Sequence, residues 1–202
     1  HTQTEWAGQF KVDGADSSTM TTRHGVRGFL FVSDDEKNVV QARRDGFTFS
    51  RLYPYEGWDA LRDEAKELWK RYVAVSGATG VRRLAVRYIN RLPMPSEQVV
   101  LGEWLNLHPR LPAGLGPMAD FLLRVVLPHP ENHAYQAIVT QGTAPPEDDR
   151  GPGIMFDIDV FAAFELGSDD PQVWSILEDL RQYKNDVFFG TITNDTERRL
   201  LE

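Results

Sequence analysis

The chain has 202 residues, a formal net charge of −8 at pH 7 and no cysteine. Disulfide bonds, cysteine-ligated zinc and thiol catalysis are therefore excluded within this sequence, and a chain without cysteine is typical of the cytoplasm. No apolar run approaches the roughly 20 residues that cross a bilayer, and an acidic protein repels polyanions, so neither a membrane nor duplex nucleic acid is an expected partner.

Residues 1–25 end in the small, polar and aperiodic stretch DGADSSTMTTRHG, which predicts a flexible or truncated N-terminal arm. Three short strands are predicted next, at 26–33, 38–43 and 47–52. The pair Asp45-Gly46 is a strong hairpin signal between the last two of them. Together these runs predict an antiparallel meander.

Helical periodicity begins at Trp58, and the glycines of SGATG (76–80) end it. The apolar face consists of Trp58, Leu61, Ala65, Leu68, Trp69 and Tyr72. A strand is predicted over 82–92. Residues 93–120 are rich in proline and glycine, which predicts an excursion over the surface with a short helix at 99–105.

Three further strands are predicted at 121–128, 134–142 and 153–166, before a second amphipathic helix that starts at Asp170-Pro171. The fold class is therefore α+β: an antiparallel sheet of about seven strands, in two meanders plus a linking strand, covered by two long amphipathic helices. We expect a single domain over residues 26–202. Three strands and a helix occur twice, which suggests an internal duplication.

The strand RRLAVRYINRL (82–92) puts three arginines on one face of a sheet. Side chains alternate along a strand, so Leu84, Val86, Tyr88 and Leu92 point one way and Arg83, Ala85, Arg87, Ile89 and Arg91 the other. Asp157 and Asp159 also share one face, in the strand MFDIDVF. Pairing of these arginines with these aspartates is the favoured interpretation, and solvated arginines or an anion site are the alternatives.

The candidate ligand-binding residues are Arg83, Arg87, Asn90, Arg91 and Lys184, with an anionic small molecule as the ligand. Asp157 and Asp159 are weak candidates for a Mg²⁺ site, because paired carboxylates hold Mg²⁺ in many phosphoryl-transfer enzymes. The chain has no phosphate-binding loop and no recognisable catalytic motif, so we predict no catalytic residue and no cofactor.

Four motifs carry a resemblance to a known family. They are DGFTFSRLYPYEGWDALRDEAKELWKRY (45–72), RLAVRYINRL (83–92), FDIDVFAAFE (156–165) and LRQYKNDVFFGTIT (180–193). In this order they resemble a sporadically distributed bacterial family of conserved hypothetical proteins. The resemblance implies a shared fold unit, not a reaction. It also implies a further N-terminal region, shortened or removed here, and a patchy distribution similar to that of defence and toxin–antitoxin loci.

The sequence leaves three hypotheses for function. The leading one is a non-enzymatic, cytoplasmic interaction module that binds an unknown protein partner or a second copy through an uncovered sheet edge. The second is an enzyme or sensor for a nucleotide or phosphorylated small molecule, in which Arg87, Arg91 and Lys184 grip the anion while the two aspartates hold Mg²⁺. The third is local binding of single-stranded nucleic acid by the arginines.

Overall fold

The computed structural model describes residues 2–4, 7–12, 18–23, 26–95, 100–146 and 151–201. Its contacts divide the chain into two compact units, residues 1–79 and 80–202, which are described separately. We predicted one domain over 26–202. The strands of the two units belong to different sheets, and the glycines that follow the first long helix lie at the boundary between the units.

The first unit contains six strands and one helix among its described residues. The strands are β1 (Thr2–Thr4), β2 (Ala7–Val12), β3 (Ser18–Arg23), β4 (Val26–Val32), β5 (Asn38–Arg43) and β6 (Gly46–Arg51). An antiparallel sheet has the order β1-β4-β5-β6, and β2 and β3 form a separate hairpin. Helix α1 (Trp58–Ser76) packs on β6, where the Phe47 ring contacts the rings of Trp69 and Tyr72.

The arm predicted for residues 1–25 consists, where it is described, of strands. β1 pairs with β4 and β2 pairs with β3. Residues 1, 5, 6, 13–17, 24 and 25 of the predicted arm lie outside the described residues. Polar stretches such as TQT (2–4) have no apolar period, so the sequence pattern did not indicate that they pair through their backbones.

The second unit is a four-stranded antiparallel sheet with three helices in its described part. Its elements are β7 (Gly80–Pro93), α2 (Leu101–Trp104), β8 (Leu122–Pro128), β9 (Tyr135–Ala144), β10 (Gly153–Gly167), α3 (Gln172–Thr191) and α4 (Asn194–Leu201). The strand order is β7-β10-β9-β8. The N-cap residue of α3 is Pro171, not Asp170 as predicted, although Asp170 Oδ1 accepts a hydrogen bond of 2.9 Å from the backbone N–H of Gln172.

The core of the second unit lies between α3 and one face of its sheet. The largest fully buried side chains there include Leu92, Val139, Phe156, Ile158, Val160 and Leu180. The rings of Phe156 and Phe188 lie 5.6 Å apart, which joins the sheet to the end of α3. No helix among the described residues is both long enough and apolar enough to cross a bilayer.

The α+β class is confirmed, but the single sheet of about seven strands is wrong. The two meanders lie in two sheets, each of four described strands. In the first unit β1 and the β2–β3 hairpin precede a three-stranded meander and a long helix, and in the second unit β7 alone precedes them. β1 pairs with the first strand of its meander, β4, whereas β7 pairs with the last strand of its meander, β10. The repeated order of elements therefore does not extend to the order of the strands.

Helix α4 was not predicted, and hydrogen bonds from threonine side chains hold its first turn. Thr193 Oγ1 accepts a hydrogen bond of 3.2 Å from the N–H of Thr196 and donates one of 2.8 Å to the carbonyl of Glu103. Thr196 Oγ1 donates to the carbonyl of Trp104 at 2.7 Å. The Thr193 hydroxyl therefore caps α4, and both hydroxyls fasten the helix to α2.

Replacing the central core aromatic should destabilise the second unit. Phe156 is fully buried, so we expect Phe156→Ala to lower the free energy of unfolding by about 3–5 kcal/mol. Phe189 is 50% exposed, and Phe189→Ala, as the matched control, should cost about 1 kcal/mol or less. Urea unfolding followed by circular dichroism measures both. Equal losses for the two variants would place Phe156 outside the core.

Candidate functional site

The two faces of the second sheet differ in their exposure. On the face that α3 covers, Leu84, Val86 and Leu92 of β7 are buried, as parity predicted. The opposite face, called the open face here, exposes large apolar side chains: Ile89 (63%), Leu122 (75%), Val126 (48%) and Met155 (41%). The register places these side chains in rows with the arginines and aspartates of β7 and β10. The open face is therefore partly apolar and partly ionic.

Two of the three arginines pair with the two aspartates across the β7–β10 ladder. Arg87 lies opposite Asp159 but reaches along the sheet to Asp157, where Nε donates to Oδ1 at 2.8 Å and Nη2 donates to Oδ2 at 2.5 Å. Arg83 Nη2 donates to Asp159 Oδ2 at 3.0 Å. The predicted cross-strand pairing is thus confirmed for Arg83 and Arg87.

Both aspartates lie beneath the arginines that bind them. Asp157 and Asp159 are 16% and 25% exposed, whereas Arg87 and Arg83 are more than half exposed. The guanidinium carbon of Arg83 lies 4.5 Å from the centre of the Phe161 ring, which supports the side chain on its way to Asp159. The hydrogen bonds to Asp157 raise the pKa of Arg87 above its ordinary value, so Arg87 stays charged.

Arg91 has a different role from the other two arginines. Its Nη2 donates to the carbonyl of Pro145 at 2.7 Å and to the carbonyl of Gly151 at 2.6 Å. These carbonyls flank residues 147–150, which lie outside the described residues in the acidic connection between β9 and β10. Arg91 therefore fastens the two ends of that connection. This role was not predicted from the sequence, although Arg91 lies near the end of β7.

Asn90 and Lys184 lie on the other side of the sheet from the three arginines. Asn90 is opposite Phe156, whose side chain is fully buried against α3. Lys184 belongs to α3, and its Nζ lies 3.9 Å from the centre of the Tyr88 ring. The structure therefore does not bring the five candidate ligand-binding residues together, and Lys184 does not join Arg87 and Arg91 around one anion.

The Lys184 amine is half-buried and has an unusual environment. Nζ donates to Asn185 Oδ1 at 2.6 Å. Burial lowers the pKa of Lys184 to about 8, and the charge of Arg181 acts in the same direction. The Tyr88 ring favours the cation, but the cost of removing the amine from water is larger.

The aspartate pair does not resemble a magnesium site. The arginine guanidinium groups already occupy carboxylate oxygens of Asp157 and Asp159, so a cation would have to displace them. Across the described residues, no three or more histidine, aspartate or glutamate side chains are grouped so that they could hold a metal ion. The arrangement is that of an ion-pair network that stabilises a sheet.

The exposed apolar side chains are the feature of this face that we did not predict. Leu122 and Val126 lie on the open face of β8, and Ile89 and Met155 lie on the same face of β7 and β10. A signal was present in FLLRVVLP (121–128), which is apolar at both odd and even positions. A strand that is apolar on both faces indicates that both faces are meant to be covered.

The Arg87–Asp157 pair should contribute a small, salt-sensitive coupling energy. In a double-mutant cycle with Arg87→Gln and Asp157→Asn, we expect a coupling of about 0.5–1 kcal/mol in low salt that falls as salt screens the charges. Arg87→Gln alone should cost more than the control Arg110→Gln, because it leaves Asp157 half-buried and unpaired. Urea unfolding measures each variant. A coupling of zero in low salt would contradict the pairing.

The lowered pKa of Lys184 predicts a pH dependence of stability. The amine titrates near 10.5 when exposed and near 8 in the fold. Between these values the unfolded chain binds more protons than the folded chain, so the contribution of Lys184 to the free energy of unfolding rises with pH. We expect the unfolding free energy of the wild type minus that of Lys184→Met to increase from about pH 7.5 to about pH 9.5 in urea titrations. A flat or falling difference would contradict the burial of the amine.

Comparisons with known proteins do not identify a family for the chain. No protein-family model, no curated protein and no solved structure matches it. The open face and the outer edge of β7 are therefore interpreted from their own geometry and chemistry.

Proposed function

We propose that the chain is a non-enzymatic interaction module and that the open face of its second sheet contacts a protein partner. One observation carries the proposal: Ile89, Leu122, Val126 and Met155 expose large apolar surfaces on the same sheet face. The row Ile89–Asp157–Thr140–Arg124 crosses this face, so its exposed apolar side chains are interspersed with polar and charged groups, a mixed composition that protein interfaces share.

The charged groups on this face support a protein partner more than a phosphate ligand. Arg83 and Arg87 are each neutralised by an aspartate, and Arg91 binds two carbonyl groups. A polyanion would have to share each guanidinium group with a carboxylate already within 3.0 Å, so only the donors that face away from the aspartates remain for a further contact. A protein surface can add contacts without breaking these pairs.

The nucleotide- or phosphate-binding alternative has less support. It needs Asp157 and Asp159 free for Mg²⁺, and both are engaged by arginines. It also needs Lys184 beside Arg87 and Arg91, and Lys184 contacts Tyr88 on the covered face instead. Single-stranded nucleic acid would likewise meet arginines that are already paired.

The sequence resemblance extends the proposal to the setting of the protein. The cysteine-free sequence favours the cytoplasm, and the patchy distribution of the bacterial family that the chain resembles favours a locus of the defence or toxin–antitoxin type. A module without its own catalytic site suits such a locus, where one component regulates another by binding. The partner would then be another protein of the same locus or a second copy of this chain.

Site-specific photo-cross-linking tests the proposal. We expect p-benzoylphenylalanine at Ile89 or at Leu122 to give the same discrete cross-linked product in cells of the organism that encodes the chain. The product should disappear when Val126→Asp places a charge among the exposed apolar side chains of β8. Gln182 is exposed on α3, and the cross-linker there is the matched control that should give no such product.

Two results would overturn the interaction module. One is the absence of any product from both open-face positions. The other is a rise in Tm when a nucleotide and Mg²⁺ are added to the purified protein, which would favour the phosphate-binding alternative, because a ligand that binds only the folded state raises Tm. A product formed between two copies of the chain would identify the partner as the protein itself.

A further inference from the structure

Strand β7 is an edge of the second sheet, and it is unusually long for an edge. It has 14 residues, whereas the other edge strand, β8, has 7. Within the described part of the chain, β7 pairs only with β10. A long edge strand presents a row of unpaired N–H and C=O groups to which another strand can be added.

The register shows which residues carry those outward groups. The N–H of Met94 donates to the carbonyl of Pro152 at 3.0 Å, which makes this a hydrogen-bonded pair in the β7–β10 ladder. Hydrogen-bonded and non-hydrogen-bonded pairs alternate in antiparallel ladders. Even-numbered residues of β7 therefore bond to β10. The outward-facing backbone groups belong to Arg83, Ala85, Arg87, Ile89 and Arg91.

The same five residues place their side chains on the open face. A strand added to β7 would put the residues directly opposite them on that face too, at roughly 4.5–5.5 Å between Cβ atoms. In the described contacts, Arg87 Nη1 makes no hydrogen bond, nor do Nε and Nη1 of Arg83 and Arg91. These donors remain for carboxylates of an incoming strand.

The charge of β7 indicates which kind of strand can pair with its edge. The strand contains four arginines and no carboxylate, in a chain whose net charge is −8. Joining the β7 edges of two copies would bring no carboxylate to the remaining arginine donors, because β7 contains none, and like charges on neighbouring strands are destabilising. An acidic strand from another protein gains charge-assisted hydrogen bonds instead.

We propose that the β7 edge binds an extended acidic segment of a protein partner as a fifth strand of the second sheet. Acidic residues of that segment lie opposite Arg83, Arg87 and Arg91, and small or apolar residues lie opposite Ala85 and Ile89. This inference rests on the proposed function, since it names the mode and chemistry of the contact with a partner. The recognised pattern is an acidic residue at every fourth position with an apolar residue midway between.

A synthetic peptide tests this pattern. The probe is the capped peptide Asp-Thr-Val-Thr-Asp-Thr-Val-Thr-Asp, which presents this pattern as an antiparallel strand beside β7. The control has the same composition, with the acidic residues distributed over both faces. By isothermal titration calorimetry we expect the probe to bind at least about tenfold more tightly than the control, and its affinity to fall when salt rises from about 50 to about 300 mM.

Backbone methylation of the probe tests strand addition without altering the protein. N-methyl groups on the two valines remove hydrogen bonds to β7, so we expect binding to fall at least about tenfold. N-methyl groups on the second and eighth residues, both threonines, point away from β7 and should leave binding within about twofold. Equal effects of the two methylation patterns would overturn the proposal, as would equal binding of probe and control.

Variants of the protein provide the second arm. Ala85→Pro removes one outward N–H from an edge position that tolerates proline, and should weaken binding at least about tenfold while Arg110→Gln leaves it unchanged. Arg83→Gln provides a change that keeps the backbone intact, and should weaken binding and reduce its salt dependence. If the peptide does not bind but open-face cross-linking persists, the edge proposal fails and the interaction module stands; if both fail, both are overturned.

Discussion

The antiparallel pairing of β10 with β7 is the constraint on which the second unit depends. It runs from Gly153 opposite Pro93 to Gly167 opposite Gly80, with an irregularity after Ala163. This register places Asp157 and Asp159 within reach of Arg87 and Arg83, and it buries Phe156 and Ile158 on the other face. A shift of one residue would move the aspartates into the core and the apolar residues into water, which fixes the register strongly.

The two faces of this sheet are stabilised by different interactions. Beneath α3, apolar burial dominates, with Phe156 packed against Phe188. On the open face, half-buried carboxylates are held by arginines whose own surfaces stay in water. Such pairs contribute little to the free energy of unfolding, but removing one partner leaves a charge poorly hydrated. The open face is therefore ordered by its ion pairs while its apolar residues remain accessible.

Much of this could be predicted from local patterns. Alternation along β7 assigned both faces correctly, and the helix and strand positions agree within a few residues. The same alternation places Asn90 with Leu92 on the covered face, so the sequence pattern itself separates Asn90 from the three arginines. The partition into two sheets was not visible, because an alternating strand pattern specifies a buried face without specifying which strand is its neighbour. The pairing of β1 with β4 depends on the backbone groups of polar residues in β1, and the attachment of α4 to α2 depends on carbonyls near residue 104 that are distant in sequence.

The separation between β7 and β10 along the chain has a consequence for folding. β8, β9 and β10 are consecutive and can form a meander through short connections, whereas pairing β7 with β10 closes the whole stretch 94–152 into a loop. Closing a long loop has an entropic cost before the contacts form, so this pairing should be a late event. During synthesis β7 leaves the ribosome well before β10 exists. Through that interval both of its edges are unpaired. The charges of its arginines keep the strand soluble and oppose its pairing with β7 of a second nascent copy.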